Sequence, residues 1–208
     1  MLDSNGFDLW ARKYNKTVDK YANKYPFDGY YNVLTEVYNM VKNKSNVSIL
    51  DVGIGTGVLS EKLCTAGSKI TGLDFSWEML EIAAERMTSG EFYLCDFNNG
   101  LPRGLLKDKF DYIISTYAIH HVDDDKKIEL FKEMLDLLKD DGKIIIADIS
   151  FDNASDMSIC KERSKEDWDN SELYFDIDSL GKKLVLANIN YNYKKMSSCA
   201  GILEIFKK

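Results

Sequence analysis

The stretch ILDVGIGTGVLSEKL, residues 49–63, begins as an apolar strand, breaks at three alternate glycines and continues in a helical pattern. The glycines are Gly53, Gly55 and Gly57. A turn without Cβ atoms lets a ligand approach the main chain. The stretch therefore predicts a ligand-binding loop between a strand and a helix. Dinucleotides, nucleoside triphosphates and sulfonium cofactors all bind at such loops.

The spacing of the loop argues against two of these ligand classes. A dinucleotide fingerprint reads GxGxxG, whereas here Val58 follows Gly57 and the third glycine comes one position early. A triphosphate loop would continue with Gly-Lys-Ser or Gly-Lys-Thr, which this loop lacks. Asp51, two residues before the first glycine, would repel a phosphate but attract an ammonium or sulfonium group. We therefore expect a cationic ligand, although Asp51 holding loop amides or a water is an open alternative.

Two further acids end the next predicted strands. Asp74 follows KITGL and Asp96 follows FYLC. A carboxylate such as Asp74 can accept hydrogen bonds from both hydroxyls of a ribose, and Asp96 could accept one from an adenine amino group. The alternatives are a helix cap at Asp74 and a solvated loop acid at Asp96. Together with Asp51, these acids predict a nucleoside site at the carboxyl edge of a parallel sheet.

Short β-branched runs alternate with helical patterns from residue 47 onward, which predicts a parallel sheet covered by helices. The clearest helix covers residues 123–139, with Asp123 as its N-cap. Residues 191–196 and 200–206 predict an antiparallel pair at a sheet edge. The strands before this pair are predicted at residues 47–52, 69–73, 91–95, 110–115 and 143–149.

The bulk composition restricts the function classes. The length of 208 residues favours one domain, and a formal charge of -7 disfavours a nucleic-acid partner. No apolar run approaches the roughly 20 residues of a membrane span, and Asp3 and Asp8 stand where a signal peptide would be basic. Four scattered cysteines form no CxxC pair. We expect a cytoplasmic protein that binds neither nucleic acid nor membrane.

The motifs ILDVGIGTG, ITGLDFSWEML and FYLCDF resemble those of class I S-adenosylmethionine-dependent methyltransferases. FDLWARKYNKTV, STYAIHHVDDDKK and LLKDDGKIIIADI are similar to segments of the small YrrT-type methyltransferases. The resemblance implies a Rossmann-like α/β fold with a seven-stranded, mostly parallel sheet, an antiparallel last strand and helices on both faces. It implies S-adenosylmethionine as the cofactor. The chain departs from the family pattern at Tyr14-Asn15, where an aromatic-Asp pair is usual, and at Asp141-Gly142, where Pro-Gly is common.

The loop, the strand ends and the resemblance together predict the site residues. His120 and His121 follow the fourth strand, where the acceptor should lie, and with Tyr117 they are our candidate catalytic residues. One histidine would act as a base or contact the substrate, and a structural role for these residues is the open alternative. Adjacent histidines are expected to point apart, so we predict no metal site. The N-terminal aromatics either form a lid whose ring faces meet a sulfonium or simply pack against the sheet. They are Trp10, Tyr14, Tyr21, Tyr30 and Tyr31. The expected cofactor-binding residues are Tyr14, Asp51, Gly53, Gly55, Gly57, Asp74, Phe75, Asp96, Phe97 and Ser115.

The predicted organisation is a single methyltransferase domain in four parts. These are an N-terminal helical lid (1–44), a cofactor-binding core (45–149), a helical insertion (150–175) and a C-terminal helix with a β-hairpin (176–208). We expect a monomer or a homodimer.

The expected reaction is in-line transfer of a methyl group to an oxygen, nitrogen or sulfur atom of a small molecule. A Pro-Cys pair for pyrimidine methylation is missing, and residues 115–118 read Ser-Thr-Tyr-Ala in place of the motif of nucleobase amino methylation. The alternatives are a catalytically silent module that binds S-adenosylmethionine or a nucleoside and, less favoured, an NAD-dependent oxidoreductase.

Overall fold

The computed structural model describes residues 8, 11, 16–41 and 46–207. Residues 16–21 are helical. The longer helices are α1 (Tyr30–Val41), α2 (Val58–Thr65), α3 (Trp77–Arg86), α4 (Asp124–Leu137), α5 (Ala154–Arg163) and α6 (Ile177–Leu186). The strands are β1 (Ser48–Val52), β2 (Lys69–Asp74), β3 (Glu91–Leu94), β4 (Phe110–Thr116), β5 (Leu138–Phe151), β6 (Phe175–Asp176), β7 (Asn190–Lys195) and β8 (Ala200–Phe206).

The strands form one sheet in the order β3-β2-β1-β4-β5-β8-β7, and the two-residue β6 pairs with β5 outside this path. The β1–β2, β1–β4, β2–β3 and β4–β5 pairs are parallel. The last strand, β8, runs antiparallel to both β5 and β7. The predicted fold class is therefore confirmed, including the antiparallel last strand of the seven-stranded path.

The predicted end of the clearest helix and the predicted start of the strand after it are both wrong. The helix expected to reach residue 139 ends at Leu137, and β5 begins at Leu138 in place of residue 143. Leu138 pairs with Phe110 ahead of a register shift between Phe110 and Tyr112. Leu138 still fits the apolar spacing of the helix, but its backbone pairs with β4, so it belongs to the strand.

Apolar side chains alternate between the two faces of the sheet and build a core on each. Ile49 and Ile145 pack on the face covered by α1, α2 and α3. Leu50 and Ile144, their neighbours along the same strands, pack on the face covered by α4 and α6. Successive side chains of a strand point to opposite faces, so strands buried on both sides are apolar throughout.

The topology determines where a ligand can bind. β1 pairs with β2 on one side and with β4 on the other, so the strand order reverses beside β1. In open α/β sheets, ligands bind outside the carboxyl ends of the strands at this switch point. Asp51 lies next to Gly72 of β2 and Ile114 of β4 in the register, near this edge.

The fourfold division of the domain stays a prediction. Within its parts, α5 lies in the predicted insertion, and α6 and the β7–β8 pair lie in the C-terminal part. Trp10 and Tyr14 of the predicted lid fall outside the described residues. In the part of the chain that the structure describes, the helices are too short or too polar to cross a lipid bilayer.

Candidate functional site

The glycine loop connects β1 to α2, and its glycines differ in what surrounds them. A Cβ on Gly53 would stand 2.3 Å from Ala118 Cβ, and one on Gly57 would stand 2.7 Å from Met87 Cε. Gly55 has a φ of +54°, and a Cβ there would meet nothing within 4 Å. Two of the three glycines therefore allow close packing inside the protein, and only Gly55 borders open space.

A cavity that is partly open to solvent lies beside this loop at the carboxyl edge of the sheet. The cavity is lined by Tyr30, Leu34, Asp51, Gly53, Ile54, Gly55, Thr56, Val58, Leu59, Asp74, Phe75, Met79, Phe97, Thr116, Tyr117, Ala118 and His121. Eight of the residues predicted from the sequence are among them.

Asp51 places a buried carboxylate in the wall of this cavity. Its Oδ2 accepts a hydrogen bond of 2.6 Å from Ser60 Oγ, and its Oδ1 has no hydrogen-bond partner among the described residues. Burial raises the pKa of Asp51 to about 7; the nearby Asp74 adds to the rise, and the Ser60 hydrogen bond opposes it. A buried acceptor without a partner costs free energy, so a cation or donor in the cavity would stabilise it.

Asp74, at the end of β2, accepts hydrogen bonds from the backbone amides of Gly55, Phe75 and Ser76. Its Oδ2 accepts from Gly55 N at 2.8 Å, and its Oδ1 accepts from Ser76 N at 3.0 Å. Burial raises the pKa of Asp74 to about 6, although the amide hydrogen bonds oppose the rise and Asp8 adds to it. Each carboxylate oxygen can accept a second hydrogen bond. The carboxylate therefore fixes the glycine loop and keeps acceptor capacity toward the cavity.

Four predicted cofactor residues are not placed on the cavity wall. Asp96 is exposed and caps a short 3-10 helix, Phe97–Asn99, by accepting from Asn98 N at 3.0 Å. Ser115 is fully buried and donates from Oγ to the carbonyl of Val52 at 2.6 Å. Gly57 packs behind the loop, and Tyr14 lies outside the described residues. The predicted cofactor residues that line the cavity together are Asp51, Gly53, Gly55, Asp74, Phe75 and Phe97.

Tyr117 follows β4 with a φ of +53°, which is uncommon for a bulky residue. Its ring centroid lies 5.0 Å from that of Tyr30. The hydroxyl is buried without a hydrogen-bond partner in the described part of the chain, and burial raises the pKa of Tyr117 well above its usual range. Backbone strain and a buried donor without a partner both occur at ligand sites.

His120 forms a buried pair with Asp148 of β5. Its Nδ1 lies 2.6 Å from Asp148 Oδ1, and Asp148 Oδ2 accepts from the amides of Ile119 and His120 at 2.9 and 3.1 Å. Burial alone would lower the pKa of His120, but the Asp148 carboxylate outweighs it and raises that pKa. Burial would likewise raise the pKa of Asp148, whereas His120 lowers it. The pair fixes the short 3-10 helix, Ile119–His121, beside the cavity.

The two histidine rings do not point apart as expected. Their centroids lie 4.2 Å apart with an angle of 46° between the planes. Glu172 brings them together, since its Oε2 lies 2.7 Å from His121 Nδ1 and 3.7 Å from His120 Nε2. Only His121 of the two reaches the cavity wall.

Asp148 and Glu172 are the residues that sequence reasoning missed. Asp148 carries the same signal as Asp51 and Asp74, an acid near the carboxyl end of a buried strand, in IIIADIS. Glu172 lies between α5 and β6, in a polar stretch without periodicity that gives no sequence signal.

Residues 43–192 match a family model described as a methyltransferase domain. An uncharacterized methyltransferase of Anoxybacillus flavithermus is 37% identical over 149 residues, which cover 71% of this chain and 67% of that protein. Another from a Geobacillus species is 28% identical over 211 residues, covering 97% of this chain and 96% of its own length.

The fold is also found among solved structures. The DhpI–SAM–HEP complex superposes with a TM-score of 0.73 at 15% identity, covering 97% of this chain and 94% of that one. At this identity the likeness shows a shared fold only.

Proposed function

Since this chain belongs to the S-adenosylmethionine-dependent methyltransferases, we propose that it transfers the methyl group to an oxygen, nitrogen or sulfur atom of a small molecule. The cofactor supplies a methyl group already activated on a sulfonium, so the residues of the site need chiefly to orient an acceptor. Such positioning contributes roughly 7–11 kcal/mol to a reaction between two bound molecules.

The observation that carries the proposal is the buried oxygen of Asp51. Oδ1 has no hydrogen-bond partner in the described residues and belongs to a carboxylate on the cavity wall. An ammonium group of the cofactor would both donate to this oxygen and neutralise the charge. A phosphate would be repelled, which agrees with the loop spacing and disfavours a nicotinamide dinucleotide.

The remaining polar groups of the cavity fit a nucleoside. Two carboxylate oxygens offer about four acceptor positions, so Asp74 has acceptor capacity left after its amide hydrogen bonds, which suits ribose hydroxyls. Phe75 and Phe97 line the same cavity and offer apolar ring surfaces to an adenine. Gly55 borders open space, so a ligand can approach its backbone closely.

The acceptor would lie against Tyr117 and His121, on the side of the cavity formed by the residues that follow β4. The Tyr117 hydroxyl would donate a hydrogen bond to it, and Tyr30 and Leu34 of α1 would exclude water from above. Closure of the cavity by these side chains would favour a small acceptor over a polymer. The charge of -7 also disfavours nucleic acid. The cytoplasmic location and the monomer or homodimer stay predictions.

A transfer screen with radiolabelled S-adenosylmethionine tests the proposal. The full chain is incubated with panels of thiols, amines and phenols and, in parallel, with transfer RNA and a protein lysate. We expect label in at least one class of small molecule and a large loss of transfer in Asp51→Asn. Label confined to RNA or protein would refute the proposed acceptor class. Cofactor binding without transfer to any class would instead support a catalytically silent module.

A further inference from the structure

We propose that His120, His121 and Glu172 form a binding site for one divalent transition-metal ion of the zinc class. One nitrogen from each histidine and one carboxylate oxygen lie within 4.8 Å of one another. This inference goes beyond methyl transfer, because it concerns a ligand that the reaction does not require.

The donor distances suit such an ion. Zinc binds nitrogen and oxygen ligands at about 2.0–2.2 Å, so tetrahedral donors stand about 3.3 Å apart. Glu172 Oε2 lies 2.7 Å from His121 Nδ1 and 3.7 Å from His120 Nε2, on either side of that value. Small rotations of the side chains would bring both distances to the required one.

The orientation of His120 is fixed by the arrangement found behind many metal-bound histidines. Asp148 Oδ1 lies 2.6 Å from Nδ1, and a carboxylate can only accept, so Nδ1 carries the hydrogen. Nε2 faces Glu172 and becomes available to an ion when it releases any hydrogen it carries, as metal-binding histidines do. A carboxylate that holds the far nitrogen fixes the tautomer and increases the basicity of the ligand.

The trio is screened from solvent yet accessible. The side chains of His120, His121 and Glu172 are 9%, 14% and 12% exposed. Glu172 Oε2 faces ring nitrogens of both histidines, and the nearer one, His121 Nδ1, lies 2.7 Å away. A buried carboxylate oxygen requires a cation or a donor, and charged residues at this depth are normally paired or bind a metal.

The nearby positive charge does not occupy the site. The ammonium group of Lys127 donates to Asp124 Oδ1 at 3.0 Å and to the carbonyl of Leu173 at 2.7 Å. Its charge is therefore directed to other acceptors.

The chemistry of the donor set selects the ion. Two imidazoles and one carboxylate favour zinc, iron, nickel or copper over magnesium or calcium, which prefer oxygen ligands. Three protein ligands leave a coordination position open, as in catalytic rather than structural zinc sites. Because His121 also lines the cavity, an ion held here would border the cavity.

Titration of the chelator-treated full chain with Co²⁺ tests the site, followed by visible d–d absorption and by displacement with Zn²⁺. We expect one ion per chain, bound at least tenfold more weakly by His121→Ala and by the isosteric Glu172→Gln. Glu166→Gln, which removes an exposed acid of the same segment, should bind as the wild-type chain does.

Circular dichroism and thermal unfolding establish whether each variant folds. If His121→Ala does not fold, Glu172→Gln still tests the site, because it is isosteric. The proposal is overturned if the wild-type chain binds Co²⁺ no more tightly than Glu172→Gln. It is also overturned by sulfur-to-cobalt charge-transfer absorption alone, which would place the ion on cysteines. In either case the trio is an ion-paired network without a metal.

Discussion

Replacing Asp51 with Asn should stabilise the ligand-free protein and weaken its binding of S-adenosylmethionine. The pKa of Asp51 rises from 3.8 to about 7, mainly because the carboxylate is buried. At about 1.4 kcal/mol per pKa unit, keeping this carboxylate ionised costs the folded state up to about 4 kcal/mol. Asn keeps an acceptor for Ser60 and carries no charge.

The sign of the pH dependence follows from the direction of the shift. An acid whose pKa is higher in the folded state destabilises the fold fully above that pKa, and the cost disappears below the ordinary pKa of 3.8. The gain from Asp51→Asn should therefore be roughly 2–4 kcal/mol at pH 8 and near zero at pH 4. For a chain of this size, it corresponds to roughly 5–15 °C in melting temperature.

Two assays on the same samples check this trade-off. Thermal unfolding at pH 4, 6 and 8 measures the gain, and calorimetry at pH 8 measures the affinity. Loss of one charge-assisted hydrogen bond of about 1.5–3 kcal/mol should weaken binding roughly 10- to 150-fold. Asp111→Asn is the matched control. Partial burial would raise the pKa of Asp111, but Lys139 and Ser48 lower it, so this carboxylate stabilises the folded state where Asp51 destabilises it. This control should lose stability at pH 8. If Asp51→Asn loses stability at pH 8 and binds the cofactor as tightly as the wild type, our assignment of Asp51 is refuted.

Three further outcomes are expected. Gly53→Ala should destabilise the protein by roughly 2–5 kcal/mol in urea unfolding, because its φ is left-handed and the new Cβ would overlap Ala118. Gly55→Ala should cost only about 1–2 kcal/mol of stability but weaken cofactor binding more than Gly53→Ala does. Equal losses of stability would contradict this reasoning. Asp148→Asn should lower the free energy of unfolding by about 3–5 kcal/mol near neutral pH. The stabilisation by the His120–Asp148 pair is lost as the pH drops through the lowered pKa of Asp148 and as the pH rises through the raised pKa of His120. A loss of stability that is the same at every pH would argue against the ion pair. Cofactor affinity by calorimetry should increase from pH 5 to pH 8, because both cavity carboxylates must ionise; affinity that falls over this range would exclude a cationic partner.

The fold followed from the sequence because its signals are local. Alternating β-branched and helical runs indicated a parallel sheet, and the pattern of residues 191–206 indicated the antiparallel pair. The positions of Asp51 and Asp74 followed from the same logic, since parallel strands bring their carboxyl ends to one edge.

The parts that escaped prediction depend on contacts between distant residues. Position 53 must be glycine because a Cβ there would overlap Ala118, and the sequence of the loop does not reveal this contact. Glu172 contacts the histidines from a stretch of sequence without periodicity. The two histidines were expected to diverge on backbone geometry alone, but Asp148 and Glu172 bring their rings together. Asp96 was predicted from its place at a strand end; it also caps a 3-10 helix, and its role at the cofactor stays a prediction.

The most direct measurement is calorimetric titration of the full chain with S-adenosylmethionine, S-adenosylhomocysteine and NAD at pH 8. We expect one site that binds both adenosyl compounds and no response to NAD. Asp51→Asn should bind both adenosyl compounds roughly 10- to 150-fold more weakly, because both carry the ammonium group. Tight binding of NAD without a response to either adenosyl compound would contradict our assignment of the cavity.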